Sequence, residues 1–329
     1  MAVIDINGSG LGNALSEILM APDIEPGDAL SYETCKILWL WHPLGRKLVE
    51  GPIAMAQSQP REITIQKGPE DRLREKFMKQ WEDDRCDEVI YNTVAISRAY
   101  GIATLALDCV EVKRDQPIDM KKLADLTISL LSFDPLNTAG SLVLNQDPNS
   151  IDFMKVNGVA VGGIPFHRSR TVTLMNERPV YIAYTTSAYG FVGRSVFQRA
   201  LFPLKSFIQT MVTDDLITKK AGVFIAMLSA AGAIIDKIMQ ASAGLKRLFV
   251  KEATNGNVIS IGKDEKIETL NMTNIDGAYG MARKNILENI ATAGDMPAII
   301  LKQETFAEGF GEGTEDAKLV AGYIDSFRR

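Results

Sequence analysis

Two long helical runs with a small mixed segment between them constrain this chain more than any other feature. Over residues 203–220, apolar side chains fall at Leu204, Phe207, Ile208, Met211, Val212 and Leu216. Intervals of three and four place them in one stripe on a helix. Over residues 275–293, Ala278, Ala282, Ile286, Ile290 and Ala291 do the same, and Gly294 with Pro297 supplies the stop. Between the runs the pattern predicts a short strand at 223–228, a helix at about 230–248 and two short strands joined by a turn. The layout is a stalk of two rods carrying an αβ head.

The rest of the composition is that of an ordinary packed protein. Of 329 residues, 46% are apolar and 23% charged, which excludes wholesale disorder. The formal net charge of -5 argues against a surface that grips phosphate through many cations. No apolar run reaches the roughly 18 residues of a spanning helix, and no basic-then-apolar leader opens the chain. Cys35, Cys86 and Cys109 are widely spaced and odd in number, so reduced thiols are expected. No cofactor or metal site is read from the sequence. Asp83, Asp84 and Asp87 lack the turn glycine of an oxygen cage.

Near the N-terminus, Gly8, Gly10 and Gly12 imitate a dinucleotide-binding loop, but the third glycine comes one position early and Asp28 lies in a Pro-Gly-Asp turn. The segment reads as an arm, 1–30. A helix follows over 31–50, kinked or restarted at Pro43, and Gly51-Pro52 separates it from a second stretch, 53–59. Residues 61–66 alternate as a strand does. Pro69 opens a helix bearing Leu73, Phe77 and Trp81 at intervals of four. Another helix, 89–100, ends at Gly101. Residues 102–112 and 123–133 are apolar strands, the first buried on both faces.

From 153 to 184 the pattern is strand, turn, strand: 155–161, then 171–175 and 180–184, the last two joined as a hairpin through 176–179. His167-Arg168-Ser169-Arg170 precedes one of these strands. Without elbow glycines the serine is not a nucleophile, and a structural role is expected. Residues 302–316 are acidic and glycine-rich, with Phe306 ahead of the glycines and Phe310 between Gly309 and Gly311. Thr314 is placed to cap a last helix from Glu315. That helix has no stop signal before Arg329, so truncation is expected there.

The order of these parts resembles the portal proteins of tailed double-stranded-DNA phages. An αβ body carries Thr34-Cys35-Lys36 in its first helix and His167-x-Ser169-Arg170 before a strand. Tyr189-Gly190 and Gly193-x-Ser195 then open a long helix. An αβ insert and a second long helix ending at Met296-Pro297-Ala298 follow. The acidic glycine loop leads into Glu315-Asp316. The resemblance covers about 31–329 and rests on the order of the motifs.

It implies an α+β portal fold, ring-forming as a dodecamer around a channel. The wing would be 31–194, the first stem helix 195–220, the clip 221–274 and the second stem helix 275–300. The channel loop would be 301–314, and 315–329 would begin a wing or crown helix. Implied partners are eleven further copies, the double-stranded DNA that passes through, the terminase large subunit, head-completion or tail adaptor proteins, and capsid and scaffold proteins, with no membrane. The implied place is the portal vertex of the virion, after assembly in the host cytoplasm, and the implied role is not enzymatic. An 18-residue stem helix is about 27 Å long, enough for a ring wall. A channel that conducts DNA cannot be strongly basic, because each neutralised phosphate adds counterion-release free energy and slows passage. Arg283, Lys284 and Lys302 are the candidate phosphate contacts, and Phe306 and Phe310 the candidate constriction. Two other readings remain: an oxidoreductase using the N-terminal glycines, and a helical adaptor whose stalk pairs with another filament-like protein.

Overall fold

The computed structural model describes residues 13–21, 30–59, 63–64, 70–119, 126–136, 143–145, 147–153, 156–161, 163–177, 193–221, 225–227, 259–261, 273–302 and 312–328. These form a mixed α+β protein of two units, the larger comprising Leu11–Leu204 with Leu287–Arg329 and the smaller containing Lys205–Ile286. Among the described residues no helix is long and apolar enough to cross a membrane.

The larger unit begins with α1 (Asn13–Met20), α2 (Tyr32–Trp41) and α3 (Gly45–Ala56). Ser31 caps α2, its side chain accepting from the Thr34 amide. Pro43 falls in the corner between α2 and α3, as its missing amide hydrogen requires. Gly51-Pro52 behaves differently: the expected break is absent, and Pro52 lies buried inside α3. A proline there removes the donor that the Leu48 carbonyl would use. Arg98 replaces it, donating from Nη2 to Leu48 O at 2.8 Å and from Nε to Val49 O at 3.1 Å. A side chain far along the sequence thus keeps a proline-containing helix intact.

Next come α4 (Glu70–Asp83) and α5 (Cys86–Tyr100), joined through Asp84 and Arg85, the latter left-handed at φ 50°. Gly101 ends α5 at φ 93°, its amide donating to Ser97 O at 2.8 Å. The chain turns directly into β1 (Ile102–Cys109), which sits between β2 (Ile128–Phe133) and β6 (Thr171–Met175), antiparallel to both. Leu105 stands opposite Ser132 on one side and Val172 on the other. As the central strand under α5, β1 buries Ile102, Ala103 and Ala106. β2 is shorter than the run of apolar residues predicts, starting at Ile128.

A second antiparallel sheet has the order β3 (Val143–Leu144), β4 (Val156–Val161), β5 (Ile164–Phe166). The sequence pattern does not predict β5, which contains Pro165. Proline is tolerated at a sheet edge, where no ladder partner needs its amide, and β5 is an edge strand. Phe166 and Phe133 bring ring centroids to 6.0 Å, tying this sheet to the first. The expected hairpin partner of β6, 180–184, lies outside the described residues, as do 61–62 and 65–66 of the expected strand at 61–66.

α6 (Val196–Ala221) has 26 residues and begins before Pro203, which lies inside it. Its buried stripe is Phe197, Leu201, Leu204 and Ile208, whereas Met211 is 41% exposed. After the described strands β7 (Ile225–Met227) and β8 (Ile259–Ile261), which pair in parallel, comes the 21-residue α7 (Thr273–Ala293). The helix expected at 230–248 lies outside the described residues. The division between the two units falls inside both α6 and α7.

α7 stops as predicted, with one shift. Gly294 is the capping residue, but the left-handed position is Asp295, φ 51°. Asp295 N donates to Thr292 O at 3.1 Å and Met296 N to Ala291 O at 3.0 Å, the paired bonds of a Schellman close. Gly294 serves a close approach instead: a Cβ there would meet Leu48 Cδ2 at 2.7 Å. Pro297 then precedes α8 (Ala298–Lys302). α9 (Glu312–Arg328) starts earlier than expected, so Thr314 lies within it rather than at its cap.

Candidate nucleic-acid interface

The residues proposed to face DNA begin on α7. Arg283 is 54% exposed at its side chain and forms an ion pair with Asp214 of α6. The pair joins the two long helices within the smaller unit, and it places a carboxylate against the guanidinium that would meet phosphate. Lys284, beside it, is exposed. Met281, on the same helix, is 70% exposed. Lys302 is the last residue of α8. Phe306 and Phe310 lie outside the described residues, as do Gly8, Gly10 and Gly12.

His42 is 3% exposed and caps the end of α2. Its Nδ1 accepts the Leu44 amide at 3.1 Å, so Nε2 carries the proton and donates to Leu204 O at 3.1 Å. Burial lowers its pKa to about 4, against a smaller opposing effect of the Leu204 carbonyl. This is a neutral structural imidazole that ties the α2–α3 corner to α6. Cys35 is similarly committed. Burial raises its thiol to about 11, and Sγ lies 3.6 Å from Ser195 Oγ, which itself donates to Ala99 O at 2.6 Å. All three cysteines are buried free thiols.

The His167–Arg170 tetrapeptide is structural in geometry. Its Ser169 Oγ lies 2.8 Å from His167 Nδ1, a length that nucleophile activation would accept. The same Nδ1 accepts the Ser169 amide at 3.2 Å, so the imidazole is capping a short 3-10 turn, Arg168–Arg170. Arg170 is buried and donates to Leu107 O at 3.0 Å and Lys113 O at 2.7 Å. Beside it, Arg114 grips Asp108 with both Nε (3.2 Å) and Nη2 (2.7 Å). That hydrogen bonding, more than proximity of charge, lowers the Asp108 pKa. These groups fasten the loop after β1 to the start of β6.

Sequence reasoning missed one cluster altogether. Arg98 stands with its guanidinium carbon 4.9 Å from the centroid of the Phe327 ring on α9, a cation–π geometry. Its pKa is lowered by burial, partly opposed by Tyr323 and Asp295. Nearby, Ile53, Ala56, Gln57, Gln59, Asp87 and Ile90, with Val94, Phe327 and Arg328, line a cleft of about 530 Å³ between α3, α5 and α9. The proline in α3 was the available signal: an internal proline demands a foreign donor. Which arginine would supply it depends on tertiary structure. Among the described residues, no group of three or more His, Cys, Asp or Glu side chains is arranged to hold a metal ion.

No family model matches this chain, and no curated protein matches it.

Proposed function

We propose that the chain is a portal subunit: one member of a dodecameric ring at a capsid vertex, through whose channel viral double-stranded DNA enters and leaves. The observation that carries this reading is the pair α6 and α7. Two helices of 26 and 21 residues bracket an inserted segment containing a short strand pair, β7–β8, and are fastened by Arg283–Asp214. Apolar side chains along them, Met211 and Met281, stand uncovered in the single chain. Such rods gain stability when neighbouring copies cover them, and a closed ring does so without leaving a free end.

In this reading α6 and α7 are the stem helices and the segment between them is the clip that meets the terminase and then the adaptor proteins. Lys284 is the better phosphate contact of the stem pair, because Arg283 already faces a carboxylate. A wall with few uncompensated cations conducts DNA rather than holding it. The segment 301–314, with Lys302 at the end of α8 and Phe306 and Phe310 further along the sequence, is assigned the role of channel loop in this reading. The oxidoreductase alternative would need a parallel sheet behind its glycine loop; the two described three-stranded sheets are antiparallel, and the parallel pair β7–β8 consists of two three-residue strands.

The experiment is electron microscopy of the purified protein with native mass spectrometry. A closed ring with a central hole, of about twelve copies, is the expected result. A monomeric globule at micromolar concentration overturns the proposal. Lys284→Glu is then expected to leave the ring intact and slow DNA passage.

A further inference from the structure

Arg98 of α5 stands where α3, α9 and the end of α7 come together in the larger unit. It donates to Leu48 O and Val49 O of α3, and its guanidinium carbon lies 4.9 Å from the centroid of the Phe327 ring of α9. The side chain of the same Leu48 is fully buried against the end of α7, where a Cβ at Gly294 would stand 2.7 Å from Leu48 Cδ2. One residue of α3 thus presents its carbonyl to Arg98 and its methyl to the turn that closes α7. That turn is held by Gly294 N to Ile290 O at 2.9 Å, with the Asp295 and Met296 amides bonded as described. It contains Asp295 in a left-handed conformation, which is unfavourable for a residue with a Cβ.

α9 has a light seat of its own. Among its described side chains only Val320 is buried; Tyr323, Ile324 and Phe327 are half-buried and the others exposed. A 17-residue helix is marginal alone in water. A buried guanidinium needs all its partners at once, because each offsets part of the cost of removing the charge from water.

We infer that the closing turn of α7 is a catch that holds α9 in place, acting through Leu48 and Arg98. While the turn is shut, Leu48 is pressed where its carbonyl receives Arg98, and Arg98 presents a fixed cation to Phe327. When the turn opens, Leu48 gains room, its carbonyl leaves Arg98, and α9 loses its anchor. The coupling is reciprocal, so loosening α9 also loosens the turn. In the portal reading this would let a strain in the second stem helix reach the C-terminal helix; that meaning rests on the proposed function, whereas the geometry does not.

The test is amide hydrogen exchange on the full chain at one concentration, with the β1 and β2 amides as the gauge of global unfolding. Gly294→Ala crowds Leu48. It is expected to speed exchange across residues 318–327 at least about 10-fold with β1 and β2 unchanged. Adding Leu48→Val makes room for the new Cβ and is expected to bring α9 back to within about threefold of wild type. Phe327→Leu probes the reverse direction, and should speed exchange of the Gly294, Asp295 and Met296 amides at least about threefold. Variants that each loosen only their own helix overturn the catch. If Gly294→Ala speeds β1 and β2 as much as α9, Phe327→Leu decides alone. Native mass spectrometry of the same samples separates the two proposals. A monomeric wild type with both cross-effects keeps the catch and sinks the portal reading, and a ring without them does the opposite.

Discussion

Removing Arg98 should hurt far less when Pro52 is removed with it. In the wild type, the Leu48 carbonyl is buried in α3 and its usual donor four residues on is a proline nitrogen without hydrogen. Arg98→Met keeps most of the side-chain volume but leaves that carbonyl without a donor. An unsatisfied buried carbonyl costs about 1–3 kcal/mol, and the lost contact with the Phe327 ring adds about 1 kcal/mol. Relief from burying the guanidinium charge offsets part of this. The expected net loss is therefore smaller than the sum of the two costs, about 1–3 kcal/mol. In a Pro52→Ala background the backbone regains an N–H at that position, which reaches Leu48 O within the helix, and the first cost disappears. Any cavity left by the smaller residue enters both arms of the cycle and cancels. A double-mutant cycle by urea denaturation, at one protein concentration throughout, should therefore give a coupling of about 1–2 kcal/mol. Additivity within about 0.5 kcal/mol would refute the argument, and would mean that Arg98 holds α9 rather than the helix carrying the proline.

Three further outcomes are expected. His42 binds a proton at about pH 4 when folded and at its ordinary 6.5 when unfolded; the unfolded chain takes up more protons across that window, so stability falls as pH drops through it. The loss is about 3 kcal/mol by pH 4, and His42→Gln, which cannot titrate, should flatten this part of the profile in chemical denaturation at stepped pH. Gly101→Ala should cost at least about 3 kcal/mol, because φ is 93° and the new Cβ would stand 2.1 Å from Gly193 O; an unchanged urea midpoint would contradict it. Cys35, raised by burial to about 11, should be silent to a thiol reagent at pH 8 until denaturant is added, and prompt labelling of that residue in the native protein would contradict the packing described.

Local chemistry made much of the fold readable. The end of α5 at Gly101, the corner at Pro43, the buried start of β1 and the stop after α7 each depend on a few neighbouring residues, and each was legible; the strand expected to run on to 112 ends at Cys109, with Val110 88% exposed. What stayed hidden depends on distant partners. Pro52 reads as punctuation until Arg98 is seen to supply the missing donor. Pro165 argues against a strand unless its place at a sheet edge is known. At the end of α7 the sequence points to Gly294 for the left-handed turn. Asp295 takes it, since the glycine is needed where Leu48 packs. The candidate channel residues were the least legible part: a cation on a helix looks alike whether it meets phosphate or, as Arg283 does, a carboxylate on the neighbouring rod.

Gly101 and Gly193 press on each other from both sides. A Cβ on the second would come within 2.6 Å of the first one's carbonyl oxygen, just as the converse holds. Most crowded positions can be relieved by trimming the opposing side chain, so that a bulky change in one place is rescued by a smaller one opposite. Here the opposing atoms are main chain on both sides of the crossing, and nothing smaller than glycine exists. The junction therefore has no second-site suppressor. In any library selected for folded variants, these two positions should come back unmutated together, and no combination of changes around them should free either one.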